Sequence, residues 1–189
     1  MDYRKLACSY EETGNLFLQY NQDQDTCFEF ALQTRRFKEE NMDTIINELT
    51  NKDEKSAYAR TKEIAAASES SSEYYTYLEA FASLLGDKNS YVRTRAFILC
   101  CCQARWDEEG KLRQLLPAMM ALFHDIKPTV VRQCLAAAKE IVVFRPELGE
   151  AINAELDKID LSGYKDSMTN LIRADINELR GLIVENIKE

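Results

Sequence analysis

The sequence predicts an all-α fold of stacked helical hairpins preceded by an N-terminal helical extension, and three observations predict it. Only six Gly and three Pro interrupt 189 residues. The stretches between them are rich in Ala, Leu, Glu, Lys and Gln, which lose little freedom in a helix. Apolar residues recur at helical spacing, as in Leu78, Phe81 and Leu85 or Leu115, Met119 and Leu122, where a strand would show alternation. A helix–turn–helix unit also repeats. Its second helix carries Arg60, Arg93 or Arg132, with separations of 33 (60 to 93) and 39 (93 to 132) residues, near the roughly 40-residue period of helix-pair arrays.

Along the chain, residues 1–41 match no repeat; Leu16, Phe17 and Tyr20, then Phe28, Ala31 and Leu32, predict two amphipathic helices broken at the polar run Asn21 to Asp25. They are expected to form a hairpin added to the first repeat, with Met42 as an alternative start. The repeat domain, 42–189, opens with a hairpin at about 42–68, built from Ile45, Ile46 and Leu49, a turn at Asp53, and a helix through Ala67. The second hairpin, 73–105, turns at Asp87 and restarts at Val92-Arg93; the third, 111–144, turns at Asp125 and restarts at Val130-Val131-Arg132. Asn89 or Ser90, Thr129, Asp107 and the Ser70 to Ser72 run are suitable helix N-caps, and Pro128 stands where a missing N–H costs little. Residues 147–187 keep the hairpin rhythm without the Asp and Arg signature and are expected to be the terminal cap that repeat arrays need.

Pro117 followed by Asp125 and Val131-Arg132, with Asp87 and Val92-Arg93 in the neighbouring unit, resembles the HEAT-repeat family. The stretch Asn41 to Arg60 is similar to the beginning of short bacterial HEAT-repeat proteins, some of which carry a name borrowed from iron–sulfur assembly scaffolds. The resemblance implies an α-α superhelix whose second helices line a concave face. It implies an Asp/Arg ladder, Asp53/Arg60, Asp87/Arg93 and Asp125/Arg132, linking neighbouring repeats by charge-assisted bonds. The function it implies is a non-catalytic scaffold or adaptor that binds a protein partner on that face. Lys62, Arg95, Gln133 and Lys139 are the candidate contacts, supported by Arg93 and Arg132.

Net charge is −8, but residues 88–145 hold 10 basic and 5 acidic side chains (+5) between acidic flanks. A partner with an acidic surface fits that middle. The alternatives are a HEAT-like nucleic-acid or DNA-glycosylase module and an accessory factor in iron–sulfur assembly. Against nucleic acid stand the acidic total and the want of a basic run interleaved with aromatics. Trp106, the lone Trp, is expected to cap a core.

Enzyme chemistry is not expected. The single His, His124, abuts the turn Asp125, and no phosphate-binding, dinucleotide, nucleophile-elbow or zinc-protease motif occurs. No cofactor or metal is expected either. Successive residues Cys100, Cys101 and Cys102 point about 100° apart around a helix and cannot face one ion. Alignment with the following repeat sets Cys102 level with Ile141, as a core residue, and Cys101 level with Glu140, as the exposed thiol. The irregular spacing of six cysteines and the lack of a long apolar run predict a cytoplasmic chain with no membrane segment.

Overall fold

The computed structural model describes residues 42–186, and the expected N-terminal extension, 1–41, lies outside the described residues. The described residues from Thr44 onward group as one compact unit. Every regular element among the described residues is helical. The α-helices are α1, described over 42–49, α2 (Glu54–Ser68), α3 (Leu78–Ser83), α4 (Ser90–Cys102), α5 (Lys111–Met120), α6 (Pro128–Phe144), α7 (Gly149–Leu156) and α8 (Asp166–Asn186). Short 3-10 turns extend several of them, notably Leu84–Gly86 after α3 and Ala121–His124 after α5.

Helices α2, α4, α6 and α8 pack side by side in chain order, each touching the next. On their other side α3 packs on α4 and touches α5, the 3-10 turn after α5 packs on α6, and α7 packs on α8. The core fills the space between these two layers. Phe81, Phe97 and Phe123 are fully buried there, and the rings of Phe97 and Phe123 meet at 6.0 Å with a 45° tilt, a geometry favourable to their quadrupoles. The buried stripe of α5 is Leu112, Leu116 and Met119, whereas Leu115 is only partly buried, one position off the spacing read from the sequence.

The two turns facing the row's N-terminal edge are built alike. Asp87 and Asp125 leave the 3-10 turn with φ/ψ of −61/144° and −64/140°. Each Oδ1 accepts the N–H two residues on, from Asn89 at 2.7 Å and from Lys127 at 2.9 Å, an Asx-type turn that halts one helix and aims the next. Asn89 then caps α4 by accepting from the Tyr91 N–H. Thr129 is not a cap: the cap position is Lys127, and Pro128 opens α6 as its first helical residue, where its fixed φ suits the start. Asp107 does cap, but from a distance. Gly110 takes φ 71°, a left-handed conformation that glycine adopts without penalty, and the loop lets the Asp107 carboxylate accept from both Lys111 N–H and Leu112 N–H.

Candidate functional site

The four helices packed side by side present an outer face whose cavities lie in the grooves between neighbours. One cavity of about 390 Å³ is lined by Glu54, Lys55 and Tyr58 of α2, Tyr91 and Arg95 of α4 and Gln133 of α6, among others. A smaller one, about 60 Å³, lies between α4 and α6 and shares Tyr91 and Gln133 with it. A third, about 290 Å³, runs between α6 and α8 past Gln133, Ala136 and Asp175. At the far end, Ala65, Glu69, Cys102, Arg105 and Glu140 line a fourth of about 510 Å³.

Of the four residues expected to contact a partner, Gln133 is exposed and borders three of these cavities. Lys62 is exposed and lies over the Tyr58 ring, 5.2 Å from its centroid, where a cation meets the negative face of the π-system. Lys139 is half-buried and bonded to Glu178 at 2.5 Å. Arg95, expected as a surface contact, is instead 3% exposed, and its Nη1 donates to Glu54 Oε2 at 2.6 Å. That bond, foremost, holds the Glu54 carboxyl below its ordinary pKa.

The expected ladder exists only in part. Arg93 gives Nε and Nη2 to Asp125 Oδ2 at 3.0 and 2.5 Å, and Nη1 to the backbone carbonyl of Asp87 at 2.7 Å; it therefore joins the turns that precede α4 and α6, and the Asp87 carboxylate is not its partner. Arg132 reaches forward to Asp175 of α8, at 2.6 and 3.3 Å, not back to Asp125. Arg60 pairs with Glu48 and Glu63, while Asp53 spends its carboxylate capping α2 through the Lys55 N–H. Sequence spacing locates the arginines but cannot show which acid each long side chain reaches.

Sequence reasoning also missed Glu54, which bridges Arg95 and the Asn89 amide, and Tyr58 and Tyr91, exposed at 51% and 62%. The signal was present in the spacing: Tyr58 and Tyr91 stand four residues before Lys62 and Arg95, which on a helix sets each beside its cation, although the expected start at Val92 left Tyr91 in the turn.

The cysteine expectation is overturned. Cys101 is buried and Cys102 is the partly exposed thiol. The alignment with α6 was one residue out, because the equivalent turn residues Asp87 and Asp125 are 38 positions apart (87 to 125) while Cys102 and Ile141 are 39 apart (102 to 141). Since α4 is packed by α2, α6 and α3, Cys100 and Cys101 are both enclosed. Burial, and then the nearby Glu140 and Glu69 carboxylates, push the Cys102 thiol up to about 11; Cys100, Cys101 and Cys134 are raised further by burial. Among the described residues no three His, Cys, Asp or Glu side chains converge as a metal site. His124 Nε2 lies 2.8 Å from Glu155 Oε1, and Trp106 donates its indole N–H to the Ser68 carbonyl at 2.7 Å, closing the end of α2. No helix among the described residues is long and apolar enough to cross a membrane. Comparison with protein-family models, with curated proteins and with solved structures finds no match for this chain.

Proposed function

We propose that this chain is a non-catalytic protein-binding scaffold, a short α-solenoid of the HEAT type that holds a partner along the outer face of α2, α4, α6 and α8. The observation that carries the reading is the succession of grooves on that face, with exposed Gln133 common to three of the four cavities. Grooves between regularly spaced helices form a continuous surface suited to an extended partner segment. Around the two cavities that share Tyr91 and Gln133, the charged side chains are Lys55, Arg95, Lys127 and, over Tyr58, Lys62, set against Glu54. That balance favours an acidic partner.

A nucleic-acid reading is less well supported. Several of the row's cations are already matched by carboxylates, Arg95 by Glu54, Arg132 by Asp175 and Lys139 by Glu178, so they form no bare phosphate footprint. The non-catalytic reading is supported by His124, engaged with Glu155, and by thiols that burial keeps protonated.

The test is capture of partners from native lysate by the immobilised full chain, compared across variants. Gln133→Glu and Ala136→Glu add negative charge at exposed positions of the row; Gln114→Glu and Ala118→Glu add it at exposed positions of α5 on the other layer. The proposal expects the first pair to lose proteins that the second pair retains. Loss with the α5 pair and retention with the α6 pair would overturn it.

A further inference from the structure

Arginine has a lateral edge, formed by Nε–H and Nη2–H, that matches the two oxygens of a carboxylate. Three arginines of this protein can be compared on that edge. Arg93 sets it against Asp125 and Arg132 sets it against Asp175. Arg95 does not. Its Nη1 is bonded to Glu54, but among the described residues its Nε and Nη2 are buried with no hydrogen-bond partner. Buried donors on a charged group are costly to leave unmet; Arg145 and Arg180 each bury one such donor, Nε, whereas Arg95 buries two on the same edge.

Arg95 also lines the cavity of about 390 Å³ between α2, α4 and α6. The walls of that cavity are amphipathic. Tyr58 and Tyr91 are exposed by more than half and each carries a lysine over its ring, Lys62 at 5.2 Å and Lys127 at 6.0 Å. Lys55 and Ile98 complete a rim that is cationic and partly apolar.

We propose that this cavity is a subsite for a side-chain carboxylate of an acidic peptide segment, received by the Nε–Nη2 edge of Arg95 while the segment's backbone and apolar side chains lie against Tyr58 and Tyr91. The inference rests on the scaffold reading and names the chemistry of its partner. Charge complementarity selects the occupant. Glu54 neutralises one cation, leaving Lys55, Lys62 and Lys127 around the rim to meet further negative charges, which an acidic segment has and a lone chain terminus lacks. The grooves past Gln133 toward α8 continue the track in the direction a longer segment needs. Both nitrogens are covered in this conformation, so a lining side chain moves as the carboxylate arrives; Lys55, Tyr58, Tyr91 and Gln133 are the exposed ones able to swing. The fork, not charge alone, sets the specificity, because a lysine cannot offer two parallel donors.

The experiment follows the Arg95 Nε–H signal in nitrogen-15 spectra of the full chain at low salt. The probes are an acetylated, amidated peptide of alternating Glu and Leu, its Gln-for-Glu counterpart, and a Gln peptide with a free C-terminal carboxylate. The expected result is a saturable movement of the Arg95 signal with the Glu peptide alone. Arg95→Lys keeps the charge beside Glu54 and is expected to weaken binding by about tenfold or more. Should that variant fold poorly by circular dichroism, the exposed changes Tyr91→Ala and Lys55→Glu are expected to weaken binding in its place.

An unmoved Arg95 signal at millimolar Glu peptide, equal movement with the Gln peptide, or movement only with the free C-terminus overturns the subsite. Wild-type affinity in Arg95→Lys does the same. If Arg95 is silent while the α6 variants still lose their captured partner, the scaffold reading stands and only the subsite falls. If those variants capture as the wild type does, the scaffold reading fails on its own test.

Discussion

Changing Asp125 to Asn removes one charge from the junction between α4 and α6 and alters almost nothing in shape. The side chains of Arg93 and Asp125 are 16% and 5% exposed, so the pair is largely desolvated, and breaking a buried pair by removing one partner costs about 3–5 kcal/mol. Arg93 retains the carbonyls of Asp87 and Lys88 and some contact with water, which brings Asp125→Asn just below that range, to about 2–3 kcal/mol. Arg93→Met strands the more deeply buried carboxylate and should cost about 3 kcal/mol or more. Each single change already forfeits the interaction, so the double variant should cost less than the sum by about 2 kcal/mol. Arg60 provides the contrast: its partners Glu48 and Glu63 are 44% and 66% exposed, and Arg60→Ala should cost below about 1 kcal/mol. Urea unfolding at pH 7 followed by helix circular dichroism measures all of these through midpoint and slope. A coupling below about 0.5 kcal/mol between positions 93 and 125, or an Arg60→Ala cost equal to that of Arg93→Met, would refute the view that burial decides which arginine holds the helices together.

Among cysteines 100, 101, 102 and 134, Cys102 should be the first labelled by a maleimide, slowly at neutral pH and faster as pH climbs toward about 11, with the site identified by peptide mass mapping; earlier labelling of Cys101 would contradict its burial. Glu54→Gln leaves Arg95 buried without a counter-charge, but Glu54 itself is 38% exposed, so the loss at pH 7 should be about 1–2 kcal/mol. Because the Glu54 carboxyl is lowered in the folded chain, its contribution is present above the ordinary carboxylate range and is lost as pH falls through its depressed value. The gap between wild type and variant in melts should therefore close in acid, and a gap unchanged by pH would count against the pair. Tyr75 donates to Asp107 at 2.7 Å, and burial, with that bond second, raises its pKa. Tyr75→Phe should cost about 1 kcal/mol and remove one late tyrosinate from an alkaline absorbance titration; an unchanged late phase in the variant would show other rings to be responsible.

Helical character was legible because it is a local property: few breakers, apolar residues on one face, and turn Asp residues that satisfy their own backbone. Asn89 and Pro128 were legible for the same reason, since a cap is decided within three residues. What escaped the sequence depends on distance in space. Arg132 finds Asp175 across 43 positions, and nothing in the spacing of either residue announces the other. Arg95 read as a surface cation because its column matched Lys62, yet Lys62 is on the first helix of the row, exposed, while α4 lies between two others and encloses its arginine. The cysteine register failed by a single residue, enough to turn a side chain by 100° on a helix and exchange the enclosed thiol for the accessible one.

Arg93 ties one bend of the chain to the next, with the carbonyl of Asp87 at one end of its guanidinium and the carboxylate of Asp125 at the other, whereas Arg132 is clasped by an acid in the middle of a long helix. The two fastenings ought to yield differently under load. Arg93 and Asp125 are the more enclosed pair, 16% and 5% exposed against 37% and 20% for Arg132 and Asp175, so water should loosen the joint of α6 with α8 first, while the joint of α4 with α6 holds longer. A guest drawn along the grooves would then be accommodated by movement at the α8 end, with the α4–α6 joint near Tyr91 serving as the fixed jaw.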